Sequence, residues 1–134
     1  MTTVKLSKNL QNPRGVYSIP VTPFHENGKL DLDSLRKCIE FCLEKGAHGI
    51  VMPVNASEVS TLTDEERTQV IKEGVKSVNG SVHFVAGVTG NSIEQVQESV
   101  KIVEDLGVDS IITMPSTKIA SAQYVYDYLS LIHI

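Results

Sequence analysis

The chain has no tryptophan, only two cysteines, few aromatic residues and no long apolar run. Each shortage removes a class of protein. Cys38 and Cys42 lie four apart on one predicted helix, with no third cysteine anywhere in the chain. They cannot make a disulfide framework or a cysteine zinc site, and they read as buried reduced thiols. His25, His48, His83 and His133 show no ligand spacing, so no metal is expected. No apolar run approaches the roughly 18 residues of a membrane span. Basic residues number twelve against sixteen acids, for a net charge of -4, and they are scattered along the chain. That distribution argues against a nucleic-acid partner and against an anionic membrane surface. The first residues lack the basic-then-apolar pattern of a secretory signal. They are expected to form a polar arm over 1–14, ahead of one cytoplasmic domain over 15–134. Neither GxGxxG nor a Walker loop occurs, and no cofactor is expected.

What is present is an alternation. VYSIPVTPF (16–24), HGIVMPV (48–54), VHFVAGV (82–88) and SIITMP (110–115) are apolar, β-branched runs that predict strands. Between them lie helical periods. The first has apolar residues at 35, 38, 39, 42 and 43, a cap at Asp31 or Asp33, and a stop at Gly46. The second opens on a capping box, Thr63 with Glu66, and stops at Asn79-Gly80. The third starts near Asn91, with Glu94 in the matching box position, and runs to Gly107. A fourth begins after Ser121.

The period is about thirty residues, the size of a βαβ unit. Two units repeat in letters, KGAHGIVMP against LGVDSIITMP. Strands joined through helices pair in parallel, and near-continuous apolar strands require both sheet faces covered. The predicted class is α/β. Two architectures fit: an open, flavodoxin-like sheet serving as a non-catalytic binding module, or half of an eight-stranded barrel. Both keep ligands where strand C-termini meet the following loops.

Those loops read TPFHENG, VNASEVST, VTGNS and MPSTK. Hydroxyls, carboxamides and small backbone units dominate, a lining suited to a small carboxylate or carbonyl compound held by backbone N–H groups. GVTGNS reads as a tight turn with a helix cap at Asn91 or Ser92. Ser57 and Ser116 lack a nucleophile-elbow motif. Glu58 has two readings, a carboxylate accepting bonds from loop amides and a direct catalytic role, of which the structural one is favoured. Lys118 has no apolar surroundings to depress its pKa and reads as a surface lysine.

The succession GVYSIPVTPF, Gly-Ala-His-Gly-Ile-Val, an acid-bearing turn with LTDEER, VAGVTGNS and GVDSIITMP resembles the dihydrodipicolinate synthase and N-acetylneuraminate lyase family. The likeness covers residues 15 to about 129. It implies four βα units, the N-terminal half, of a TIM (β/α)8 barrel, which needs about 250 residues. It further implies a parent enzyme, usually tetrameric, that joins or splits a 2-oxo acid such as pyruvate and an aldehyde through a lysine Schiff base.

By that resemblance the imine lysine and a catalytic tyrosine belong to the sixth and fifth strands, so no catalytic residue is assigned here. The family's Gly-hydroxyl-Thr-Gly-Glu loop falls on Val54-Asn55-Ala56-Ser57-Glu58, and only the glutamate is retained. Asn55, Ala56 and Ser57 are the expected substrate-binding residues, the latter two through backbone amides. Glu58 and Thr117 are the expected supporting residues. Where synthases carry Pro-Tyr-Tyr, this chain has Pro115-Ser116-Thr117. These departures imply a divergent aldolase or lyase and not the lysine-pathway synthase. The closing LSLIHI is similar to translated adapter sequence and is read as a truncation.

Overall fold

The computed structural model describes residues 13–115 and 121–132. Four strands form one sheet in the order β1-β2-β3-β4. They are β1 (Tyr17–Ser18), β2 (Gly49–Met52), β3 (His83–Gly87) and β4 (Ser110–Ile112). Every pairing is parallel: Tyr17 opposite Gly49, Gly49 opposite His83, Val85 opposite Ser110. The helices are α1 (Leu32–Glu44), α2 (Asp64–Val78), α3 (Ile93–Asp105) and α4 (Ala122–Ile132).

The strand order decides the architecture. Parallel crossovers are right-handed, so strands added in one direction leave all their helices on one face. A doubly wound sheet must reverse direction to cover its second face, as the flavodoxin order 2-1-3-4-5 does. Here the order never reverses, and α1, α2, α3 and α4 pack each against the next. The sheet is an arc of a barrel with one outer helical layer. The flavodoxin-like alternative is excluded.

The local signals are realised with four differences. Asp31 caps α1, its carboxylate accepting from the Ser34 amide and hydroxyl at 2.9 and 2.7 Å. In α2 the Thr63 hydroxyl accepts from Glu66 N at 3.2 Å, and the Glu66 carboxylate accepts from Thr63 N at 2.9 Å. β1 is far shorter than 16–24. Pro20 and Pro23 have no N–H to donate, and beyond them Phe24 bridges back to Leu30. β2 likewise stops at Met52, ahead of Pro53, and β4 stops at Ile112. The fourth difference is at α3, where the cap is Ser92, accepting from Gln95 N at 3.2 Å. The box position therefore belongs to Gln95 and not Glu94. Its carboxamide is drawn elsewhere, to Asn91 N at 2.8 Å and Asp64 at 3.0 Å.

The core lies between sheet and helices. Ile50 and Met52 of β2 and Phe84 and Ala86 of β3 are buried with Leu35, Ile39, Val70, Val78, Val96 and Val103. A Cβ added at Gly74 of α2 would meet both the Phe84 ring and the Met52 sulfur. The inner face of the arc is more polar at its lower end. Tyr17 Oη and His83 Nδ1 share a hydrogen bond of 2.9 Å, and His83 Nε2 and Ser110 Oγ one of 3.0 Å. Gly49 makes this possible, because a Cβ there would collide with the Tyr17 ring. Three strands are thus tied across the base by one imidazole.

Candidate functional site

The C-terminal ends of the strands form one rim, with the turn after β2 at its centre. Pro53 is buried and Val54 is extended (φ -135°, ψ -169°) before a 3-10 turn over Asn55–Ser57. Ser57 N donates to the Val54 carbonyl at 2.9 Å and Glu58 N to Asn55 at 3.0 Å. A 3-10 turn leaves its first amides without acceptors inside the turn. At Ala56 that amide has no acceptor among the described residues, and the residue is exposed. The carboxamide of Asn55 is exposed beside it, equally without a partner among the described residues.

Ser57 differs from this pair. Its side chain is fully buried at 0% exposure, and its hydroxyl donates to the Pro20 carbonyl at 2.9 Å. In return the Thr22 hydroxyl, itself 4% exposed, donates to the Ser57 carbonyl at 2.7 Å. The amide of Ser57 already serves Val54. Of the two amides expected to face a ligand, the one at Ala56 stands open and the one at Ser57 is engaged inside the turn.

Glu58 departs from its favoured structural reading. Its carboxylate is exposed and accepts no hydrogen bond among the described residues. What the residue contributes is backbone, a left-handed conformation (φ 59°, ψ 35°) that links the turn to a second one over Val59–Thr61. The Thr61 hydroxyl and amide both donate to the Glu58 carbonyl, at 2.8 and 2.9 Å. That clamp offsets the cost, of order 1 kcal/mol, that an L-residue incurs in this region.

The neighbouring loops are fixed from behind. Met114 N donates to the Thr89 hydroxyl at 3.1 Å, and the Arg67 guanidinium donates to the Thr89 carbonyl at 3.2 Å. Arg67 Nε is the buried side-chain nitrogen left without a partner among the described residues. Thr113 and Tyr128 share a hydroxyl contact of 2.8 Å that ties the exit of β4 to α4. Thr117 lies outside the described residues. Below the β1 loop, the Asp31 carboxyl is held under its ordinary value, first by the Ser34 hydroxyl, then by the Ser34 amide and the His25 charge.

Among the described residues no cluster of three His, Cys, Asp or Glu is placed to hold a metal ion, and no helix is long and apolar enough to cross a membrane. The described part of the rim can present N–H groups to a small anionic or carbonyl ligand. Thr22 and Arg67, which donate to the Ser57 and Thr89 carbonyls of these loops, were not singled out from the sequence. Thr22 stands between two prolines at a strand exit, and that was the available signal.

Comparison with known proteins fixes the class first. A dihydrodipicolinate synthase from Acinetobacter baumannii, chloride-inhibited and complexed with pyruvate, superposes with a TM-score of 0.84 at 33% identity. The match covers 89% of this chain and 41% of that one. The sheet is therefore four consecutive βα units of a TIM-barrel fold. The sequence also matches the dihydrodipicolinate synthetase family over residues 12–131. The chain belongs to that family.

Among curated relatives, the 4-hydroxy-tetrahydrodipicolinate synthase of Methanococcus maripaludis is 39% identical over 99 residues, 74% of this chain and 34% of its own. A probable 5-dehydro-4-deoxyglucarate dehydratase of Streptomyces avermitilis is 36% identical over 110 residues, 82% of this chain and 33% of its own. The chain spans about a third of the length of these relatives.

Proposed function

We propose that residues 15–134 are the N-terminal half of a Schiff-base-forming aldolase or lyase that acts on pyruvate or a related 2-oxo acid and an aldehyde. The observation that carries this reading is the exposed amide of Ala56 on the rim, which has no acceptor among the described residues. This donor lies at the position where the family holds a keto acid's carboxylate. Asn55 supplies a second donor through its carboxamide. Ser57, Glu58 and Thr117 support the site, the last on sequence position alone. The imine lysine and catalytic tyrosine belong to the other half of the barrel, so these residues bind and orient without reacting. The working enzyme is a cytoplasmic homo-oligomer with no cofactor.

A lysine amine adds to the ketone and water leaves. In the splitting direction the protonated imine accepts the electron pair of the breaking carbon–carbon bond and becomes an enamine. In the joining direction the carbon beside the imine loses a proton, and the enamine so formed attacks the aldehyde, whose oxygen takes up a proton. Full-length protein incubated with pyruvate and borohydride therefore gains one covalent adduct on one lysine. The 134 residues alone give no turnover. Absence of an adduct with every 2-oxo acid tried would sink the proposal.

A second reading is favoured by the likeness to the probable dehydratase, at 36% identity over 110 residues. There the same imine would drive loss of water from a sugar acid, a carbon–oxygen cleavage. The products separate the two: an aldehyde released in the first case, water and a deoxygenated keto acid in the second.

A further inference from the structure

We propose that Thr22 and Ser57 form a latch between the exits of β1 and β2 that positions the carboxylate-binding amide of Ala56. The inference rests on the keto-acid reading above. It moves Ser57 from ligand contact to positioning residue and brings Thr22 into the site.

The geometry is reciprocal. Ser57 donates its hydroxyl to Pro20 at 2.9 Å, and Thr22, two residues further along the same segment, donates to the Ser57 carbonyl at 2.7 Å. Both side chains are buried, at 0% and 4% exposure, so neither hydroxyl has water as a competing partner. With its amide given to Val54, Ser57 is fixed at its nitrogen, its side chain and its carbonyl. Val54 on the other side is fixed by the two amides its carbonyl accepts, from Ser57 at 2.9 Å and Val59 at 3.2 Å. The Ala56 N–H is suspended between these anchors.

The residue types explain why such a device is needed here. The family pattern places hydroxyls at the positions of Asn55 and Ala56 and glycine at that of Ser57. Alanine has no side-chain donor, so at position 56 the carboxylate must rely on the main chain. A main-chain donor cannot rotate to find its acceptor as a hydroxyl does, and its aim is set wholly by the turn. Placing a hydroxyl at 57 rather than 56 shifts it from touching the ligand to holding the peptide that does.

The test uses the full-length protein, with Ser57→Ala, Thr22→Val and Thr22→Ser. Borohydride trapping is followed as a function of keto-compound concentration, with pyruvate and with hydroxyacetone, a ketone of similar size that has no carboxylate. Ser57→Ala and Thr22→Val are expected to raise half-saturation for pyruvate roughly tenfold, the scale of one lost buried hydrogen bond. Trapping at saturation changes little, and half-saturation for hydroxyacetone does not move. Thr22→Ser, which keeps the hydroxyl, behaves as the parent.

A penalty equal for both ketones, or none for pyruvate, overturns the latch and leaves the lyase reading standing. No adduct in the unsubstituted protein removes the lyase reading and the latch's carboxylate role together. If Ser57→Ala does not fold, the comparison of Thr22→Val with Thr22→Ser decides by the same criterion.

Discussion

Gly74 sets two effects of known size against each other. It lies inside α2, where alanine is favoured over glycine by about 1 kcal/mol through helix propensity. On that ground alone Gly74→Ala would stabilise the protein. The added Cβ, however, would stand 2.5 and 2.6 Å from two carbons of the Phe84 ring and 3.2 Å from the Met52 sulfur. Carbon–carbon contacts are comfortable at about 3.5–4.0 Å, so the overlap is on the order of 1 Å. Phe84 is 2% exposed and Met52 0%, and neither has open space to retreat into. Forcing a methyl into such a site costs about 1–3 kcal/mol. Overpacking wins by about 1 kcal/mol, and the variant is less stable than the parent.

The pair with Phe84→Leu isolates the cause. A smaller side chain clears the space, and in that background Gly74→Ala should recover its helical gain and become stabilising. Urea unfolding followed by far-UV circular dichroism gives the four stabilities of the cycle. A rise in midpoint for Gly74→Ala with Phe84 present would refute the reasoning, as would a penalty that persists with leucine there.

The α2 capping box predicts that Thr63→Ala costs about 1 kcal/mol, visible as a lower unfolding midpoint with an unchanged urea slope. The Asp31 carboxyl is shifted down in the folded state, chiefly by the Ser34 hydroxyl, and a depressed carboxylate contributes stability that is full above its ordinary value near 3.8 and is lost as pH falls through the lower folded value. Ser34→Ala should therefore lower stability at neutral pH and flatten its fall in that acid window; an unchanged acid limb in a pH series of urea melts would count against the assignment.

Much of the fold was legible because its signals are local. KGAHGIVMP and LGVDSIITMP repeat in letters because they repeat in hydrogen bonds. Gly46 N reaches Leu43 and Ala47 N reaches Cys42; Gly107 N reaches Glu104 and Val108 N reaches Val103. Both glycines hold positive φ, 85° and 73°, the αL residue that ends a helix in this motif. The α2 box was readable for the same reason. At α3 two good caps stand side by side, Asn91 and Ser92. The choice was made by the glutamine that follows, whose carboxamide reaches Asp64 on another helix. No local rule contains that contact.

The site was legible as a place but not as a set of roles. Residue types at a strand exit announced polar contacts, and parallel topology required them to face a common rim. Which polar atom is spent internally and which is left over is a question about partners 35 and 37 positions away in sequence, Thr22 and Pro20 for Ser57. The serine, which has the more evident side chain, is consumed by packing. Alanine, which offers no side-chain chemistry, keeps the open donor. A residue's reactivity on paper is thus a poor guide to its role wherever backbone N–H groups do the binding, since the side chains best able to hydrogen-bond are also the ones a loop recruits to hold itself in place. In such loops the residue to examine is the one whose amide the turn cannot satisfy, and on this rim that is Ala56.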